Sequence, residues 1–142
     1  MNLVLQAPDD IPISRLIRAY FAHRVSKTNN EERRENTRAA GEELAENVST
    51  NFEITEDIPR AVIETYGGEP MVEIFRSESG QFETIHGDKI VELIRILREA
   101  GETTQQQGVG PESWDPLRSM EERVIALCEF AFQNDYSLSI SF

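Results

Sequence analysis

The chain is poor in the residues that chemistry most often uses: one cysteine, Cys128, and two histidines, His23 and His86, stand among 142 residues. A lone cysteine excludes an internal disulfide and makes a reducing compartment the simpler expectation. No apolar run approaches the length of a membrane span, and the first residues lack a basic leader, so a cytoplasmic location without membrane contact is expected. Phosphate loops and nucleophile elbows are absent too. Gly108-Val109-Gly110-Pro111 lacks the spacing of the first, and Ser113 lies outside any Gly-x-Ser-x-Gly pattern.

Positive charge is the other scarcity. Fourteen Lys and Arg face 26 Asp and Glu, a formal net charge of −12. Residues 1–38 carry seven basic and five acidic residues (+2), and the remaining seven basic and 21 acidic residues give −14. Such a field repels phosphate backbones, which disfavours direct nucleic-acid binding by the whole molecule, unless the N-terminal arm acts alone, and makes a basic-surfaced protein the natural partner. The plainer alternative is that the acidity serves solubility.

What the chain does have is ordinary globular material, 39% hydrophobic and 28% charged. The length suits a single domain, residues 1–142, that buries roughly two thirds of its unfolded surface. The fold class expected is α+β: a small antiparallel sheet of three to four strands packed with about five helices. Its organising unit is read as a central β-hairpin over residues 71–86. There, Met71 to Phe75 alternate and Ser77-Glu78-Ser79-Gly80 turns the chain. Gln81 to His86 then returns, with Phe75 opposite Phe82 and Val72 opposite Ile85.

After that hairpin, Gly87 breaks the strand and Asp88 caps a helix whose stripe is Ile90, Leu93, Ile94 and Leu97, ending at Gly101. Earlier, Leu3 and Leu5 suggest a short strand, and Ile13, Leu16, Ile17, Tyr20, Phe21 and Val25 follow helical spacing. Residues 31–47 read as a solvated helix in which Glu31 with Arg34, and Glu35 with Arg38, pair three apart. Phe52 and Ile54 mark an edge strand or a loop anchor, and Ile58, Val62 and Tyr66 a helix.

Residues 102–114 form the expected mobile loop, with Trp114 as its aromatic anchor. A last helix begins at Asp115-Pro116 and buries Leu127 and Cys128. Residues 136–142 then alternate Tyr136, Leu138, Ile140 and Phe142 with serines, giving a C-terminal strand whose edge offers a route to a homodimer.

Candidate chemistry is thin. Glu83-Thr84-Ile85-His86 has the Glu-x-x-His spelling of a metal-binding helix, but on a strand positions three apart face opposite sides, so no metal and no cofactor is expected. His86 beside Asp88 and Glu83 is the one acid–base grouping, and a small hydrolase built on it is an alternative function. No catalytic residue is assigned. The leading reading is a small non-enzymatic regulator or inhibitor that binds a basic, DNA- or RNA-processing protein through Glu69, Glu73, Glu78, Glu83, Glu92 and Glu99. In its sharper form those carboxylates mimic nucleic-acid phosphates. A structural subunit of a homo-oligomer is the third class.

Overall fold

Leu3 and Leu5 alternate with Asn2, Val4 and Gln6, and that alternation becomes strand β1 (Asn2–Gln6), with both leucines fully buried. The structure, a computed structural model, describes residues 1–8, 11–49, 53–58, 60–66, 68–106 and 120–142. β1 is the middle of a three-stranded antiparallel sheet, between β2 (Glu53–Asp57) and β3 (Ser137–Ser141). Leu5 stands opposite Ile54 on one side and Leu138 on the other, and all three are buried on the face that meets the helices. On the other face lie Asn2, Val4 and Gln6, flanked by Glu53, Thr55 and Asp57 and by Ser137, Ser139 and Ser141.

The helices follow from their stripes. Ile13, Ile17, Phe21 and Val25 recur every four residues along α1 (Ile13–Ser26) and are all buried, while Arg15, Arg18, His23 and Lys27 point to solvent. The helix α2 (Glu31–Glu46) starts where the Asn30 side chain accepts a hydrogen bond from the Arg33 N–H. It buries only small residues and Leu44, so it can lie very close to α1. Gly41 marks the contact: a Cβ there would sit 2.5 Å from the Phe21 Cβ. Gly41→Ala is therefore expected to cost about 1–3 kcal/mol through overpacking, read as a lowered denaturation midpoint with an unchanged slope.

Two short helices, α3 (Arg60–Tyr66) and α4 (Glu69–Ile74), lead to α5 (Asp88–Gln106). The expected stripe of Ile90, Leu93, Ile94 and Leu97 is buried on α5, extended by Ile96 and Ala100. Gly101 does not stop this helix. A glycine inside a helix costs about 1 kcal/mol relative to alanine but does not force a left-handed residue, and α5 continues to Gln106. Residues 102–106 of the expected loop are thus helical, and the rest of it, with Trp114 and Asp115-Pro116, lies outside the described residues.

A π-helical turn, Met120–Ile125, runs into α6 (Ala126–Gln133). Val124 to Cys128 are fully buried, followed by Phe130 and Ala131, so this helix is apolar nearly all round and lies in the core.

The expected hairpin is the principal correction. Met71 to Phe75 are not a strand but the body and C-cap of α4, with Pro70 in the first turn and the Val72 N–H bonded to the Gly68 carbonyl. Met71 and Phe75, four apart, are the buried pair, whereas Val72 and Ile74 are half-buried. Five alternating residues satisfy both periods, and the proline decides for the helix. The turn survives: the Ser77 N–H bonds the Gln81 carbonyl at 2.7 Å, and Gly80 takes φ +85°. The return segment makes only isolated bridges, Phe82 with Arg76 and Ile85 with Leu138.

Candidate interaction surface

The six carboxylates singled out from sequence are all exposed, but they do not form one continuous field. Glu73 pairs with Arg76 at 2.9 Å, and Glu92 and Glu99 both reach Arg95, at 3.6 and 2.8 Å. These pairs are solvated and contribute little stability, yet they blunt the negative potential along α4 and α5. Glu69, Glu78 and Glu83 have no ion-pair partner among the described residues. The expected Glu35–Arg38 pair forms on α2, while Glu31 and Arg34 do not pair.

Beside Glu78 and Glu83 the surface changes character. Phe82 is 48% exposed and Phe142 is 78% exposed, and their rings lie 5.7 Å apart at 46°. The Arg76 guanidinium sits 5.0 Å from the Phe82 ring centroid and donates to Glu73 and to the Gly80 carbonyl. The local chain explains the pair. Ile85 exchanges both backbone hydrogen bonds with Leu138, at 2.8 and 2.9 Å, which lays the return segment along the outer edge of β3. Before Ile85 the two chains separate, because the Glu83 N–H bonds the Phe75 carbonyl instead, and the two phenylalanine rings meet at a tilt where they diverge. The β3 edge, expected to be open for a homodimer, is therefore occupied at Leu138.

Three other places carry polar or reactive groups. Glu129 of α6 accepts hydrogen bonds from the Tyr20 hydroxyl (3.1 Å), from Arg24 and from Arg98 (2.8 Å). Burial pushes the Tyr20 phenol up to about 12, against the opposing effect of Arg24, so Tyr20 remains a neutral donor. With every member satisfied, this network clamps α1, α5 and α6 together. Arg123 makes a second clamp, forking onto Glu56 and reaching Glu43. Between α1 and α2 a groove of about 220 Å³ has Phe21 and Val25 in its floor and Arg18 and Arg38 at its rims, but those arginines already pair with Glu42 and Glu35.

The acid–base grouping does not assemble. His86 is exposed and its side chain has no hydrogen bond to Glu83 or Asp88. Gly87, at φ +59°, separates it from the start of α5. The Cys128 thiol is fully buried, and desolvation raises its pKa far above the usual thiol range, which holds it as an unreactive thiol. Among the described residues no group of three or more His, Cys, Asp or Glu is placed to hold a metal ion, and no helix is long and apolar enough to cross a membrane.

Sequence reasoning missed Phe82 as a surface residue because it placed Phe75 opposite it. The available signal was Pro70, which argues for a helical Met71–Phe75 and so removes the partner strand. Comparison with protein-family models, with curated proteins and with solved structures finds no match to the chain.

Proposed function

We propose that this chain is a non-enzymatic protein-binding regulator or inhibitor that engages a basic-surfaced partner through Phe82 and Phe142, with Glu78 and Glu83 beside them. The observation that carries the reading is the exposed phenylalanine pair, its tilted rings in contact, in a chain that buries Phe21, Phe75, Phe130 and Tyr136; Phe132, exposed to a similar degree as Phe82, has no ring partner among the described residues. Aromatic anchors flanked by unpaired charge are the usual make-up of an interface centre, where ring burial gives affinity and the charges choose the partner. Partners among basic DNA- or RNA-processing proteins fit the net charge of −12, whereas nucleic acid itself does not. The reading is narrower than phosphate mimicry, since Glu73, Glu92 and Glu99 are paired with arginine. A cytoplasmic setting accords with the single buried thiol.

The test is affinity for a panel of basic nucleic-acid-processing proteins at two ionic strengths, using the native chain and a Phe82→Ser/Phe142→Ser variant. Binding that weakens about tenfold at the higher salt and disappears in the variant is expected. Phe82 is about half exposed and Phe142 largely so, so the variant is expected to lose no more than about 1 kcal/mol of stability. Failure to bind any member, or equal binding by the variant, ends the proposal.

A further inference from the structure

The opposite edge of the sheet carries a second surface, and its open rungs follow from strand geometry. In an antiparallel pair, alternate residues turn both backbone groups toward the partner strand and the residues between turn theirs away. The Ile58 N–H bonds the Met1 carbonyl at 3.1 Å, so Glu56 and Ile54, in step with Ile58, bond β1. Leu138 opposes Leu5 but uses its own N–H and carbonyl on Ile85, which shows again that β1 gives its odd-numbered residues to β2 and its even-numbered ones to β3. Glu53, Thr55 and Asp57 therefore point outward. Ser49 closes the first rung, through its N–H to the Glu53 carbonyl and its hydroxyl from the Glu53 N–H. Thr55 and Asp57 are exposed, and their outward backbone groups have no partner among the described residues.

The side chains on that edge are selective. If a second copy paired antiparallel about Thr55, Glu53 would oppose the copy's Asp57, and Asp57 the copy's Glu53, two like-charge pairs on one face. Such pairs are destabilising, and charges on an edge are how sheets avoid pairing with themselves. The same pattern favours a strand with a cation at each of those positions.

We infer that the β2 edge at Thr55 and Asp57 receives an extended segment of a basic protein by strand addition, with one arginine or lysine facing Asp57 and a second, four residues on, reaching the Glu53 carboxylate from beyond the rung that Ser49 closes. Main-chain hydrogen bonds hold the segment, and the two charge pairs set its register. This edge is across the sheet from Phe82 and Phe142, so loss of one surface leaves the other measurable.

The probe is the peptide Lys-Thr-Arg-Val-Thr-Val-Arg-Thr-Lys, blocked at both ends and labelled, with a control carrying Glu in place of both Arg. Anisotropy titration of the native chain is expected to show binding of the Arg peptide at least tenfold tighter than of the Glu peptide. Hydrogen exchange is expected to slow at the Thr55 and Asp57 amides. Thr55→Pro removes an outward N–H that β1 does not use, a position where an edge strand tolerates proline, and it is expected to weaken binding at least tenfold. Glu53→Lys/Asp57→Lys, which leaves the backbone intact, is expected to reverse the preference between the peptides. Unchanged binding by Thr55→Pro, protection confined to Ile140 or elsewhere, or an unaltered preference in the charge-reversed chain overturns the inference.

Discussion

Replacing Arg123 by alanine is expected to cost about 3–5 kcal/mol, toward the lower figure, and so to remove a large part of the 5–15 kcal/mol typical of a domain. The Arg123 side chain is 18% exposed and that of Glu56 12%, and the guanidinium meets the carboxylate with two bonds, Nε to Oε1 at 2.8 Å and Nη2 to Oε2 at 2.9 Å. A third, Nη1 to Glu43 at 2.8 Å, ties in α2. Truncation leaves the Glu56 carboxylate desolvated with no cation beside it, and that loss, rather than the value of the pair, sets the magnitude. Urea denaturation of Arg123→Ala measures it. Replacing both partners, Arg123→Met with Glu56→Leu, is expected to recover most of the loss, because no orphaned charge remains.

The same residue gives a pH signature. Its hydrogen bond, and secondarily its charge, hold the Glu43 carboxyl below the usual carboxylate value. A depressed folded-state pKa contributes stability that is complete above the unfolded value of about 4.3 and is lost as pH falls through the folded one. Glu43 is more than half exposed, so the contribution is small, and its disappearance in Arg123→Ala appears as a flatter acid limb.

Neither clamp is legible in the sequence, and the reason is separation along the chain. Arg123 lies 67 residues from Glu56 and 80 from Glu43, and Glu129 lies 109 from Tyr20 and 105 from Arg24. Helical spacing reports only pairs three or four apart, as with Glu35 and Arg38, and even there Glu31 and Arg34 show that spacing permits a pair without producing one. Long stripes were a stronger guide. The apolar residues of α1 and α5 repeat over three turns or more, which no strand reproduces, and Leu138 and Ile140 alternating with serines gave β3 as directly. The α+β class followed from these elements, but the sheet that forms is β2-β1-β3 and not one built on a hairpin over residues 71–86. Strand order did not: a chain with β1 in the middle and acidic β2 at an edge has the same local patterns as one with those places exchanged. The β2 edge and the Phe82–Phe142 pair therefore required tertiary structure.

Phe75→Ala is expected to cost about 3–5 kcal/mol, while Phe82→Ala costs no more than about 1. Phe75 is 1% exposed and is among the largest fully buried side chains, so its removal loses transfer free energy and opens a void that helix-packed neighbours fill only in part. Phe82 loses an exposed contact with Phe142 and with the Arg76 guanidinium. The pair also discriminates between a helical and a hairpin arrangement of residues 71–86. Facing each other across a hairpin, Phe75 and Phe82 would be coupled by about 0.5–1.5 kcal/mol in a double-mutant cycle. With Phe75 turned into the core as the cap of α4 and Phe82 on the surface, the two losses are expected to add within about 0.5 kcal/mol. A coupling of 1 kcal/mol or more would restore the hairpin, return Phe82 to the interior and remove the aromatic anchor from the proposed binding surface.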